Sequence, residues 1–285
     1  MMKKICIIGV GLIGGSFMRG LKKANQVEQV FGYGKGKESL AKAKELGAID
    51  EFSLDIGKAI DGAEMVVIAT PVDSIEEVFR LIRPHISKST IITDVGSTKT
   101  SIIDSAKSVF GEVPTNFIPA HPIAGKENSG VDYSDPDLFI NKRVILTPLE
   151  NSEPGAIKIV TNFWKSLGAL VETMNATDHD DLLAMTSHLP HMLAFSLMDY
   201  LISTNPKAID YAAGGFKDFS RIASGDSVMW RDICLNNAKE ITKHIENYQQ
   251  SLSKLSELIN QQNSDGLEEL FMEAKSARDN WLNKK

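Results

Sequence analysis

The chain has 285 residues, of which 42% are hydrophobic and 24% charged, a balance that fits one large or two ordinary globular domains with a buried core. A formal net charge of −6 and a pI of about 5.6 argue against a dedicated binder of nucleic acid or of anionic membranes. No apolar run approaches the roughly 18 residues that span a bilayer. Cys6 and Cys234 are too few for a disulfide scaffold, so a reducing cytoplasm is the expected compartment.

The N-terminal MMKKICIIGVGLIGGSF superficially resembles a signal peptide, but its glycines fall in a nucleotide-loop pattern and no A-x-A-like site follows. Residues 5–8 read as a short strand, followed by a helix to about Ala24, and Val27–Tyr33 reads as the second strand. Residues 37–46 read as a helix, another short helix precedes AEMVVIATP, and a buried strand at 65–69 stops before Pro71. Residues 72–82 are expected to be helical, Ile91–Asp94 is the next strand, and a helix is expected from about Thr98. Later strands are expected at 116–118, 143–147 and 169–172, with a helix at Pro154–Ser166. This alternation predicts an α/β fold, an N-terminal Rossmann-type, mostly parallel sheet with helices on both faces.

Beyond Thr173 the strand signals fade, which places a domain boundary there and divides the chain into 1–173 and an all-helical 174–285. Residues 182–201 read as one apolar helix kinked at Pro190. From Ala238 onward, Ile241, Ile245, Tyr248, Leu252, Leu255 and Ile259 step by four, three, four, three and four. Such a heptad-like stripe fits either a helix packed on its own domain or a seam buried against a partner chain.

GVGLIG places Gly9, Gly11 and Gly14 between the first strand and the first helix. Glycines there allow a tight turn and close approach of the backbone to a pyrophosphate, which the free N–H groups of the helix N-terminus then receive. NAD binders carry an acidic residue about 20 residues further on, for the ribose 2′-OH. Here that position is Gly34, followed by Lys35 and Lys37, which leaves NAD possible and leans toward the 2′-phosphate of NADP. The residues expected on the dinucleotide are Gly9, Gly11, Leu12, Ile13, Gly14, Gly34, Lys35, Thr70 and Pro71.

Three further segments carry conspicuous polar residues. DVGSTK sets Ser97 just past a buried strand, at the edge where open α/β sheets bind ligands, or as the N-cap of the helix that follows. IPAHPIAGKENSG holds His121 between Pro119 and Pro122, in what reads as a stiff loop suited to a positioned acid/base or to nothing more than a turn. SHLPH brings Ser187, His188 and His191 onto the kinked helix. Its H-x-x-H spacing lacks the i, i+4 pair and the glutamate of helical zinc motifs, and no metal is expected.

In combination, GVGLIGGS, VIATPV, DVGSTK, HPIAGKENSG, SHLPHMLAFSL and GGFKDFSRIASGDSVMWRDI resemble the prephenate (and arogenate) dehydrogenase family, in the family's order from the first strand to about Ile233. The resemblance implies a Rossmann domain followed by an all-helical substrate and dimerisation domain, hence a homodimer. It also implies oxidative decarboxylation of prephenate to 4-hydroxyphenylpyruvate with NAD or NADP, in tyrosine biosynthesis. It assigns His121 as the catalytic histidine at the ring hydroxyl and Ser97 as its assistant. His191 and Arg221 fall on substrate-binding positions, with Ser187 and His188 beside them, and an ion pair with Asp218 is the plain alternative for Arg221. Glu127, next to Lys126, is a candidate for gating or pH sensing, or half of a solvated pair. No regulatory or mutase domain is expected in a chain of this length, which leaves inhibition by tyrosine at the active site as the open regulatory route. Arogenate or dual cyclohexadienyl specificity is the nearest alternative. Less favoured are a β-hydroxyacid dehydrogenase, which relies on a helical lysine, and a non-catalytic dinucleotide-sensing dimer.

Overall fold

The computed structural model describes residues 1–126 and 128–283. Met1–Ala238 forms one compact unit, and the chain from Lys239 forms a second. The first unit opens with β1 (Met2–Ile8), α1 (Leu12–Lys23), β2 (Val27–Tyr33), α2 (Lys37–Glu45), β3 (Glu51–Ser53), α3 (Ile56–Ile60) and β4 (Met65–Ile68). It continues with α4 (Ile75–Ile82), β5 (Ile91–Asp94), α5 (Thr100–Phe110), β6 (Phe117–Ile118), β7 (Ala120–Pro122), β8 (Arg143–Leu146), α6 (Pro154–Ser166) and β9 (Leu170–Thr173).

β3-β2-β1-β4-β5-β6 form one six-stranded sheet, and every pairing in it is parallel. Sequence alternation explains why its central strands are apolar throughout. Ile5 and Ile7 of β1, and Met65 and Val67 of β4, enter the core on one face. Cys6, Ile8, Val66 and Ile68 enter the core on the other. A sheet covered on both faces has no solvent side, so its strands carry no polar alternation. The first core is knitted by Phe17 of α1, Phe139 and Trp164 of α6, with Phe17 and Trp164 ring centroids 4.2 Å apart. The second is centred on Phe79 of α4, edge-on to Phe117 at 5.3 Å.

Three local expectations are corrected. His121 does not lie in a loop: it belongs to β7, which pairs antiparallel with β8 opposite Ile145, in a second sheet ordered β7-β8-β9. Pro119 and Pro122 flank it without breaking the ladder, because the neighbouring groups still pair, Thr147 N–H to Pro119 and Ile123 N–H to the Arg143 carbonyl. Residues 72–82 divide into a 3-10 turn, Val72–Ser74, and α4. The expected helix at 182–201 is α7 (Ala176–Leu183), a π turn at Ala184–His188, and α8 (Leu189–Thr204). The irregularity thus falls just before Pro190, which occupies the first turn of α8, where a missing N–H costs little. α9 (Gly214–Ser220) and α10 (Ser227–Asn236) complete the unit.

The second unit is built on α11 (Ala238–Asn260) and α12 (Ser264–Asn283). Its apolar side chains are largely uncovered within one chain. Leu252 is 47% exposed, Ile259 55% and Phe271 56%, and α12 buries no described residue. No helix among the described residues is long and apolar enough to cross a membrane.

Candidate active site

The carboxyl edge of the parallel sheet carries the glycine loop. Gly9 has φ +87, and a Cβ there would lie 2.7 Å from the Ala69 carbonyl oxygen. A Cβ on Gly14 would lie 2.6 Å from the Gly9 oxygen, so strand and helix meet as closely as two backbones allow. Gly11, the N-cap of α1, has open space where a Cβ would stand and no side-chain cap over the helix amides. Leu12 and Ile13 open α1 beside it. Across the loop, just past β4, the Thr70 hydroxyl is buried with no partner among the described residues, and Pro71 follows it. A helix N-terminus without a side-chain cap, beside an orphaned hydroxyl, fits the pyrophosphate of a dinucleotide. Gly34 directly follows β2, with nothing nearer than 3.6 Å to where a Cβ would stand. Lys35 lies 3.5 Å from Glu77, both largely exposed.

Two strands further along, β5 ends in Asp94, and its carboxylate is fully buried against the equally buried Lys99, with Oδ2 2.5 Å from Nζ. Together they grip the backbone next to His121. Lys99 Nζ donates to the Ala120 carbonyl at 2.8 Å, and Asp94 Oδ1 accepts from Ala120 N at 3.2 Å. Burial pulls the Lys99 ammonium down from its ordinary range, and the Asp94 charge opposes that. Ser97 is half-buried in the same β5–α5 turn. The alternative role expected for it is corrected, because α5 begins at Thr100 rather than Thr98 and Ser97 does not cap it. The first amides are capped from a distant segment: Lys99 N donates to Asp180 Oδ1 and Thr100 N to Asp180 Oδ2, both at 2.8 Å.

Asp180, on α7, is 2% exposed. It also accepts from His179 Nδ1 at 2.8 Å. Burial would raise its carboxyl, but hydrogen bonds from His179, Thr100 and Lys99 hold it below the usual range. The far nitrogen of His179, Nε2, lies 2.9 Å from His121 Nδ1. His121 is thereby joined through His179 to a buried carboxylate at a helix N-terminus. Burial, reinforced by the positive charge of His179, Lys99 and His188 when protonated, drives the His121 pKa well below its ordinary 6.5. Burial also lowers His179, against the pull of Asp180. At neutral pH both rings are neutral.

The SHLPH residues follow on the π turn and the start of α8. His188, on the π turn, is 1% exposed, and burial brings it down to about 4. Asn237 stands 3.3 Å from its Nδ1 and donates to the Asp180 carbonyl at 2.8 Å. His191 Nδ1 donates to the Ser187 carbonyl at 2.8 Å, and its ring stacks on Trp230 at 3.8 Å. Burial lowers His191, with a smaller contribution from the nearby Arg221 charge. Arg221 itself is exposed at the head of a 3-10 turn, Arg221–Ser224. Lys126 lies 3.1 Å from Asp135, whereas Glu127 lies outside the described residues. Among the described residues no cluster of three or more His, Cys, Asp or Glu could hold a metal ion.

Lys99, His179, Asp180 and Asn237 were not singled out by sequence reasoning. The run NATDHDDLL reads as a solvated helix start, and nothing in its spacing points to partners 58 and 81 residues away.

The chain is similar to known proteins over nearly its whole length. A model of the prephenate dehydrogenase nucleotide-binding domain matches residues 17–173, and one of the prephenate dehydrogenase dimerization domain matches 175–273. A cyclohexadienyl dehydrogenase from Zymomonas mobilis is 35% identical over 281 residues, covering 97% of this chain and 95% of its own. A prephenate dehydrogenase from Lactococcus lactis is 34% identical, covering 97% of this chain and 77% of its own. The structure of prephenate dehydrogenase from A. aeolicus, in complex with hydroxyphenyl propionate and NAD+, superposes with a TM-score of 0.92 at 38% identity, covering 98% of each chain.

Proposed function

The chain belongs to the prephenate dehydrogenase family, and on that premise we propose that it oxidatively decarboxylates prephenate to 4-hydroxyphenylpyruvate in tyrosine biosynthesis. The observation that carries the mechanism is a neutral, nearly buried His121, hydrogen-bonded through His179 to Asp180. The bound nicotinamide supplies the hydride acceptor. His121 takes the proton of the ring hydroxyl as the carbon bearing it is oxidised. Carbon dioxide then leaves from the opposite ring carbon, its bonding electrons make the ring aromatic, and the oxygen takes the proton back from His121. Protons balance within the site. Ser97 is assigned to the same hydroxyl. His191 and Arg221 receive the substrate carboxylates, Arg221 through a bidentate fork, with Ser187 beside them and His188 buried behind, against Asn237. Because His191 Nδ1 is committed to the Ser187 carbonyl, its Nε2 meets a carboxylate favourably only as imidazolium. Residues 1–173 form the dinucleotide-binding part in this reading and 174–285 the substrate and dimerisation part. The free cysteines, Cys6 and Cys234, suit a cytoplasmic enzyme.

His121→Ala should lower kcat with prephenate by about 10²–10⁴-fold and leave dinucleotide affinity near that of the parent. The readout is absorbance of the reduced nicotinamide, with prephenate and arogenate each supplied. Near-normal kcat in the variant would remove His121 from the chemistry, and no turnover by the parent with either substrate would overturn the reading.

For the cofactor, the absent carboxylate at Gly34 and the nearby Lys35 and Lys37 favour NADP. The Lys35 contact to Glu77 weighs against this, but it is an exposed pair and worth little. Gly34→Asp has room for its side chain, and restoring a ribose acceptor should move the kcat/KM ratio toward NAD by about tenfold or more. A parent enzyme that already strongly prefers NAD would contradict the NADP assignment.

The uncovered side of α11 and α12, with Tyr248, Leu252, Ile259, Phe271 and Met272 exposed, is assigned to a second copy of this chain. The match of 175–273 to a dimerization domain favours that occupant. Sedimentation equilibrium should return twice the chain mass, and Leu252→Glu combined with Ile259→Glu should return one. A monomeric parent at micromolar concentration would rule the assignment out.

A further inference from the structure

The hydrogen bonds behind His121 have a direction that the heavy atoms alone determine. An ionised carboxylate only accepts, so the 2.8 Å contact between Asp180 Oδ1 and His179 requires the proton on His179 Nδ1. A neutral imidazole has one N–H. His179 Nε2 is therefore bare, and the 2.9 Å contact to His121 Nδ1 requires the donor to be His121. This leaves His121 Nε2 as the nitrogen without a proton. The opposite arrangement would set a bare His179 Nδ1 against a negatively charged oxygen.

We propose that His179 and Asp180 are positioning residues for the reaction. They hold His121 in the tautomer whose Nε2 receives the ring-hydroxyl proton, and they stabilise the imidazolium until that proton is returned. The proposal rests on the prephenate dehydrogenase reading above. In the loaded state His121 carries a proton on each nitrogen, its Nδ1–H still donates to His179, and the positive charge faces Asp180 through one neutral ring. Since the substrate oxygen takes the proton back, the relay needs no route to solvent, in keeping with a His121 only 8% exposed. The charges that face His121 are accounted for. Lys99, in the β5–α5 turn, is paired with Asp94 at the end of β5, His179 and Asp180 come from α7, and His188 comes from the π turn. Among the described residues, Asp180 is the carboxylate hydrogen-bonded to this pair of rings, while Asp94 is paired with Lys99.

Asp180→Asn preserves the side-chain shape and an acceptor for Thr100 N, while an amide nitrogen in the place of Oδ1 gives up the bond from Lys99 N. Its amide can donate to His179 Nδ1, which reverses both tautomers and puts a proton on His121 Nε2. The expected result is a kcat for prephenate lower by about 10²–10⁴-fold, with KM and dinucleotide affinity changed only severalfold, as for the corresponding change in serine-protease triads. At position 179 a conservative variant separates positioning from packing. Gln can present an oxygen where His179 Nε2 stands, whereas Leu cannot. His179→Gln should retain at least about tenfold more kcat than His179→Leu. If Asp180→Asn does not fold, this pair still decides the matter. An Asp180→Asn kcat within about threefold of the parent, or equal activity for Gln and Leu at 179, would overturn the proposal. A parent enzyme that turns over neither prephenate nor arogenate would instead sink the reading beneath it.

Discussion

A carboxylate that is 2% exposed must be paired or protonated, and Asp180 is paired on every side. Two donors are the first amides of α5 and the third is His179. A helix N-terminus is the one backbone feature with N–H groups to spare and a dipole that favours negative charge. The cap therefore does more than close α5. It fastens the helical segment after β9 to the ligand edge of the parallel sheet, and it fixes the electrostatic end of the line that runs through His179 to His121. Loss of that charge would reach the His121 ring through His179, without any change in a residue that touches the ring.

A second buried pair works on the backbone rather than on the ring. Lys99 and Asp94 are wholly desolvated, a costly arrangement that is tolerated when the remaining donors and acceptors are also satisfied. Here they are, by the N–H and carbonyl of Ala120 and the N–H of Gly96. The residue before His121 is held from both of its polar groups, and β7 is held again through its pairing with β8. Such rigidity suits the role proposed for His121, since a misplacement of about 1 Å can cost about 10²-fold in rate. Placing His121 on a strand rather than a loop, with its ring partner on a helix, makes its position a property of the core.

Much of the frame is legible in the sequence because it follows from local rules. Val27–Tyr33, Ile91–Asp94 and Pro154–Ser166 have the bounds that periodicity and punctuation indicate, and the glycine loop sits where strand and helix must meet. The histidine of the AHP run stands out in the sequence but its setting does not, because prolines on either side suggest a loop and only pairing with β8 makes the run a strand. The π turn at Ala184–His188 has no periodic signature of its own, and Pro190 drew attention to a kink that lies just upstream of it. The partners of His121 were invisible for a different reason. His179 and Asp180 are adjacent in a helix whose sequence looks solvated, and their roles come from contacts to α5 and β7 that only the tertiary fold creates. Ser97 shows the converse: a serine next to a helix start suggests a cap, yet the capping was done by a carboxylate 81 residues away from the amide of Lys99.

The most direct test is nitrogen NMR of the histidine-labelled chain near pH 7, since protonated and bare imidazole nitrogens resonate far apart. The account predicts neutral His121 and His179, each with the proton on Nδ1 and a bare Nε2. A proton on His121 Nε2 in the parent protein would contradict it.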